Sequence, residues 1–353
     1  MRAATKPCAA VLSLIVAQAC AGPVPAEPAD AAQSRFQPAE TEPMSYPMLQ
    51  LTNGVLDMRI YTPDREAGFY RGVRFDWSGI IERVEYKGHR FYGPWRSPHQ
   101  PTGNDFVSGP AGEFAMDAPM GFDEAAPGQS FVKIGVGILR RADEEDYTFA
   151  GEYELIKAGE WAVDNGGNWV EFRQELKGDR GWAYRYTKRI SLGEDKPTFA
   201  LVHKLENIGT RTIDIDHYNH NFTLIDGVPF GPDYTVTFPF AAKEPREIKR
   251  GLAWFRGTGI EVLKPLGGES LWIRLRGAGG VADNGCTVRN NKTGAAVSFA
   301  GNVPIKEFRF WAVETAACPE PFIRLKIAPG KSAEWTWDYV LSVDDSLRKT
   351  RRD

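Results

Sequence analysis

What most constrains this chain is a period-two alternation of apolar and polar residues that returns along nearly its whole length. Turn residues separate the runs, and no long amphipathic helix interrupts them. The alternation recurs over residues 48–60, 69–77, 80–86, 131–140, 169–175, 182–190, 199–206, 210–215, 234–238, 271–275, 296–299, 308–314, 322–327 and 334–341. A strand of this kind hides one face and wets the other, so a long series of them builds antiparallel sheets that must pack on an apolar partner. The expectation is an all-β fold of two large sheets packed face to face. A hydrophobic fraction of 42% is enough to fill a core of that size. With no internal repeat and no interior linker, a single domain over residues 46–346 is the simplest organisation.

The 43 basic and 46 acidic residues give a formal net charge of -3, and no basic stripe is visible apart from the tail at residues 347–353. Nucleic acid is therefore excluded as an expected partner. At the other end, Arg2 and Lys6 precede an apolar run over residues 8–17, and Ala17, Ala19 and Ala21 offer small-residue cleavage positions. Residues 1–20 read as an export signal, too short to span a bilayer. The sequence Ala17-Gln18-Ala19-Cys20 resembles a bacterial lipobox, with Ala17 where Leu is usual, so a lipid on Cys20 is the expected route to any membrane. Residues 21–45, rich in Pro, Ala and Glu, read as a tether. The expected location is exported, either periplasmic or as an envelope lipoprotein. Only Cys286 and Cys318 then remain in the folded part. An oxidising compartment would let them bridge, although spacing does not show that they meet.

Two segments concentrate the chemistry. Strand 308–313 breaks its alternation at Glu314, which a strand end can hold rigidly toward a cleft. A loop over 315–321, a strand over 322–327 and the turn Ala328-Pro329-Gly330 should follow. In the second segment, His217, Tyr218, Asn219, His220 and Asn221 cluster before Phe222, and five such side chains in a row are expensive to bury without a task. The spacing of the two histidines would serve a metal on a helix, but the segment reads as strand and loop, and no further Cys or His cluster accompanies it, so no metal is expected. Elsewhere Arg71, Arg74 and Asp76 lie on segment 69–77, Asp105 and Glu113 in the following loop, and Asp226 and Asp233 on a turn-rich loop. No phosphate loop and no G-x-S-x-G nucleophile motif is present.

The C-terminal stretch FRFWAVETAACPEPFIRLKIAPGKSAEWTWDYVL resembles the end of aldose 1-epimerases (galactose mutarotases), and Asn219-His220 resembles the Asn-His pair of that family's "NHxYFNL" passage, with Phe222 at its Tyr position and Thr223 at its Phe position. The resemblance implies a β-supersandwich, no cofactor, Glu314 as general base and His220 as general acid, with His217 the competitor for the acid role. It also implies a wall of the sugar site at residues 69–95, with Arg74 contacting the ring oxygens. The His of the family's Gly-rich turn is missing, and Glu113 is the substitute ligand for a substrate hydroxyl. His217, Asn219, Asn221 and Asp233 complete the expected substrate contacts. The expected substrate is a mono- or oligosaccharide, and the first expected activity is acid/base interconversion of its anomers. A polysaccharide lyase using the 217–221 cluster and a non-catalytic envelope sugar-binding protein are the alternatives.

Overall fold

Two antiparallel sheets carry the protein, and their pairing explains why strands distant in sequence meet. The computed structural model describes residues 46–344 and 346, all within one compact unit. The larger sheet has eleven strands, in spatial order Arg246–Lys249, Ala253–Arg256, Gly259–Val262, Tyr234–Thr237, Gly285–Asn290, Ala295–Gly301, Ser332–Val343, Thr198–Asn207, Ala183–Leu192, Trp169–Lys177 and Trp161–Asn165. The smaller sheet has five, in the order Leu271–Leu275, Glu307–Val313, Ala316–Ile327, Ile213–Phe222 and Gly109–Phe114. Sheets of four and three strands, built from residues 48–91 and 130–158, complete the architecture. The expected all-β fold of large antiparallel sheets is what the chain forms.

The main core lies between the two large sheets. Tyr186, Leu201, Leu205, Trp335, Trp337 and Tyr339 come from one side, and Ile213, Ile215, Phe308, Phe310, Ile323 and Leu325 from the other. These residues recur at every second position, so the alternation of each strand becomes one dry face. A second cluster, with Phe75, Trp77, Ala111, Phe222, Trp311 and Cys318, covers part of the opposite face of the five-stranded sheet.

Several local expectations are corrected. Residues 69–77 form no strand. Side chains and isolated backbone bonds hold it instead: the Tyr70 hydroxyl accepts the Phe75 N–H at 3.0 Å, Trp77 Nε1 donates to the Gly72 carbonyl at 2.7 Å, and the N–H groups of Asp76 and Trp77 donate to the Gly112 and Gly135 carbonyls at 2.8 and 3.0 Å. Residues 48–60 are a hairpin, Met48–Thr52 with Asp57–Tyr61, because Asn53 Oδ1 accepts the N–H groups of Val55 and Leu56 and closes a turn. Residues 131–140 are likewise two strands, Ser130–Lys133 and Gly137–Arg140. Glu113 lies on a strand, not in a loop.

The expected loop at 315–321 is also strand, part of Ala316–Ile327, despite Pro319 and Pro321. Both prolines pair with the Glu307–Val313 strand, opposite Phe310 and Phe308, and the edge on which they lack an N–H faces the Ile213–Phe222 strand. The ladder opens there. Asn221 fills the gap, its Nδ2 donating to the Pro319 carbonyl at 2.8 Å and to the Asn219 carbonyl at 3.1 Å. The ladder closes again beyond it, where Thr223 and Ala317 exchange both backbone hydrogen bonds.

The expected Cys286–Cys318 bridge does not form. Neither is in a disulfide and both are buried, Cys286 in the core between the sheets and Cys318 in the cluster on the outer face, so the five-stranded sheet lies between them. The export signal, tether, Cys20 and basic tail lie outside the described residues.

Candidate active site on the outer face of the five-stranded sheet

The strand Ile213–Phe222 carries the whole polar cluster read from the sequence, and strand geometry divides it between two faces. His217, Asn219 and Asn221 point into the main core. Tyr218, His220 and Phe222 point outward, toward the segment 69–77.

On the outer face His220 Nε2 lies 3.1 Å from Glu320 Oε1, both side chains nearly buried. The His220 ring stacks on Phe222 at 4.0 Å between centroids and meets Phe75 and Trp311 edge-on at 5.8 and 5.7 Å. Trp95 stacks on the far side of Phe222 at 5.4 Å and meets Trp311 at 5.2 Å. Burial pushes the His220 pKa well below its ordinary value, and the nearby Arg74 guanidinium adds to that. A neutral imidazole that turns Nε2 to a carboxylate carries its hydrogen there, so Nδ1 keeps a bare lone pair. Among the described residues, His220 Nδ1, Trp95 Nε1 and Trp311 Nε1 are all buried and have no hydrogen-bond partner. One acceptor and two donors thus share a single aromatic box.

Next to this box is a charged network. Glu113, fully buried, receives Arg74 Nε at 2.9 Å and the Tyr218 hydroxyl at 2.5 Å on Oε2, and Lys133 Nζ at 3.4 Å on Oε1. Arg74 also donates to Asp105 at 2.7 Å and to the Tyr218 oxygen at 3.2 Å, and its guanidinium lies over Phe149 at 4.2 Å. Burial opposes the Arg74 charge, but Glu113, Tyr218 and Asp105 outweigh it and hold its pKa well above the ordinary value. Burial lowers the Lys133 ammonium to about 8, with Glu113 limiting the fall. Burial, reinforced by the Glu113 carboxylate, raises Tyr218 well above the usual phenol range, so it stays a donor.

The inward-facing residues belong to a different network. His217 Nδ1 donates to the Glu113 carbonyl at 3.0 Å, the ring stacks on Phe114 at 4.1 Å, and burial depresses its pKa to about 3. His203 is beside it at 5.4 Å between rings, bonded through Nδ1 to the Tyr186 hydroxyl at 2.9 Å. That hydroxyl in turn donates to Asp76 at 3.0 Å, and Asp76 faces the buried Lys188 at 3.5 Å. The Tyr339 hydroxyl donates to Asn221 Oδ1 at 2.7 Å and accepts from Asn219 at 3.4 Å. Gly112 makes room for this arrangement, since a Cβ there would come within 3.0 Å of the His217 ring.

The expected site residues therefore separate. Arg74, Glu113 and His220 come together on the outer face, whereas His217, Asn219 and Asn221 lie behind the sheet. Glu314 is in the turn between Val313 and Ala316; its Oε1 accepts the Gly267 N–H at 2.8 Å, and its carbonyl accepts the Phe230 N–H at 2.7 Å. The four strand steps from Ala316 to Glu320 span roughly 13 Å, so the turn and the His220 dyad are at different levels of the sheet. Asp233 forms a half-exposed ion pair with Lys292 at 2.7 Å. Glu320, Lys133, Trp95 and Trp311 escaped the sequence reading. The signal for Glu320 was its position between Pro319 and Pro321, an unusual setting for a carboxylate on an apolar strand. Among the described residues no group of three or more His, Cys, Asp or Glu is arranged to hold a metal ion.

No family model and no curated protein matches the chain. Solved structures do. The Slr1438 protein of Synechocystis sp. PCC 6803 superposes with a TM-score of 0.52 at 11% identity, over 86% of this chain and 99% of that one. A galactose mutarotase related enzyme from Lactobacillus acidophilus gives 0.51 at 11%, over 84% and 98%. A galactose mutarotase-like protein from Clostridium acetobutylicum gives 0.50 at 11%, over 84% and 95%. The chain shares their fold, and at this identity the likeness extends no further.

Proposed function

We propose that the protein is an exported carbohydrate-active enzyme that interconverts the anomers of a sugar by acid/base ring opening at His220, with Glu320 as its carboxylate partner. The observation that carries this reading is that His220 Nδ1, Trp95 Nε1 and Trp311 Nε1 are all buried without a hydrogen-bond partner on rings that pack against one another. A pyranose offers what this aromatic box lacks, namely apolar faces for the rings, hydroxyl hydrogens for Nδ1 and oxygens for the indole N–H groups. In the proposed reaction Nδ1 takes the proton of the hemiacetal O1 hydroxyl as the bond from C1 to the ring oxygen breaks. Glu320 stabilises the imidazolium, and the proton passes to the ring oxygen, whose developing charge the indole donors meet. Rotation about the bond from C1 to C2 and reversal of these steps give the other anomer. The fold shared with a galactose mutarotase related enzyme supports the same class of chemistry.

The test is the rate of anomer interconversion, followed by anomeric-proton NMR over a panel of reducing sugars. His220→Asn and Glu320→Gln should each lower the rate above background by on the order of 10² or more with sugar affinity little changed. Full activity in both variants would overturn the assignment, and loss in Glu314→Gln instead would return the base to the hairpin turn. One observation favours a second reading, eliminative cleavage of a uronate-containing glycan: Tyr218 beside Arg74 and Glu113 supplies a phenol next to a fixed cation. That reaction yields an unsaturated product absorbing in the ultraviolet, which ring opening does not.

A further inference from the structure

The outer face of the five-stranded sheet does not end at His220. Cross-strand pairing sets two neighbouring rows on this face: Glu320, which contacts His220, is opposite Arg309 and Arg309 opposite Arg274, while Cys318 is opposite Trp311 and Trp311 opposite Trp272 on the edge strand. Exposure rises across that face, from His220 at 4% and Trp311 at 8% to Trp272 at 44%. The 69–77 segment and its aromatic cluster close the face over His220, and the face opens toward the edge. Trp272 is directly opposite Trp311 in the ladder, so the two side chains leave the same face of the sheet. Arg274 and Arg309, both paired to Glu307, form the floor next to them.

We propose that this face is a substrate groove and that the preferred substrate is an oligosaccharide of about three residues, with Trp272 as the platform for the residue farthest from the reacting end. The inference rests on the ring-opening reading, because the reacting sugar must then have a free C1 at His220, and any further residues must leave through its non-reducing side. Three strand spacings separate the His220 strand from the Trp272 strand, roughly 14 Å, which is the span of about three linked pyranose rings. A large aromatic left half-exposed at the far end of such a face, on a row continuous with the aromatic box, is the feature a sugar ring would cover. The alternating charges of Glu320, Arg309, Glu307 and Arg274 between the two ends supply donors and acceptors for hydroxyl groups along the way.

The experiment measures binding by saturation-transfer NMR and titration, using reducing mono-, di- and trisaccharides of glucose, galactose, mannose and galacturonate with the full protein and with Trp272→Ala. For the sugar that binds, the trisaccharide should bind about tenfold or more tighter than the monosaccharide, and Trp272→Ala should remove that gain while leaving monosaccharide binding unchanged. Trp272→Phe, which keeps a flat ring, should retain most of it. Equal affinity for all lengths, or a chain-length gain that survives Trp272→Ala, would overturn the groove and leave the ring-opening reading standing. Failure of every member of the panel to bind would overturn both.

Discussion

Acid should destabilise this protein through histidines that the fold keeps neutral, and His217 allows the size to be worked out. Its ordinary pKa of 6.5 falls to about 3 in the folded state, chiefly through burial. Below pH 6.5 the unfolded chain therefore binds a proton that the folded chain refuses. The stability tied to His217 is complete above 6.5, declines as pH falls toward 3, and changes no further below that. At pH 5.0 the linkage relation gives a loss of about 2 kcal/mol relative to pH 7.5 from this residue alone. His203 and His220, also depressed by burial, act in the same direction. The perturbation is His217→Asn, which keeps a donor for the Glu113 carbonyl but cannot titrate. The cavity it leaves costs stability at every pH and cancels in the comparison. Urea unfolding at pH 7.5 and pH 5.0 should show the variant losing about 2 kcal/mol less than the wild type between the two conditions. An identical loss in both proteins would mean that His217 is not held neutral by its surroundings, and the argument from burial would fail.

Asn221→Ala should remove the amide that spans the proline gap, leaving the carbonyls of Asn219 and Pro319 without it and the Tyr339 hydroxyl short of an acceptor. Urea unfolding at pH 7.5 should show a loss of about 2–4 kcal/mol, and a change under about 0.5 kcal/mol would show that the strand closes the gap by itself. With Cys8 and Cys20 replaced by Ser, thiol titration of the unreduced protein should find Cys286 and Cys318 unreactive when folded, since both are buried, and two thiols per chain in denaturant. No reactive thiol after denaturation would mean that they are bridged.

The strands were legible because each needs only its own residues to show a dry face and a wet one. The runs at 199–206 and 334–341 fall within paired strands of the large sheet, with Leu201, Leu205, Trp335, Trp337 and Tyr339 facing inward as the alternation requires. The segment at 69–77 failed the same test, because side-chain hydrogen bonds from Tyr70 and Trp77 can hold an irregular backbone while the apolar residues still alternate. Pro319 and Pro321 misled in the other direction. Proline removes a donor on one edge of a strand only, and whether that edge has a substitute depended on Asn221, about a hundred residues away.

By itself the sequence determined an antiparallel all-β protein and marked the polar cluster at 217–221, since periodicity is a local property of the chain, but it ended the strand at 215, whereas the strand Ile213–Phe222 carries the cluster. Tertiary structure alone decided how that cluster divides, because a period of two sends His220 to one face and His217 to the other, and which face holds a cleft depends on what covers it. It alone decided that Glu320, and not Glu314, meets His220, since the register between two strands is set by turns and packing far from either residue. The same holds for the sheet face that joins His220 to Trp272. Its members come from four strands spread over residues 213–327, and only hydrogen-bonded pairing places them side by side.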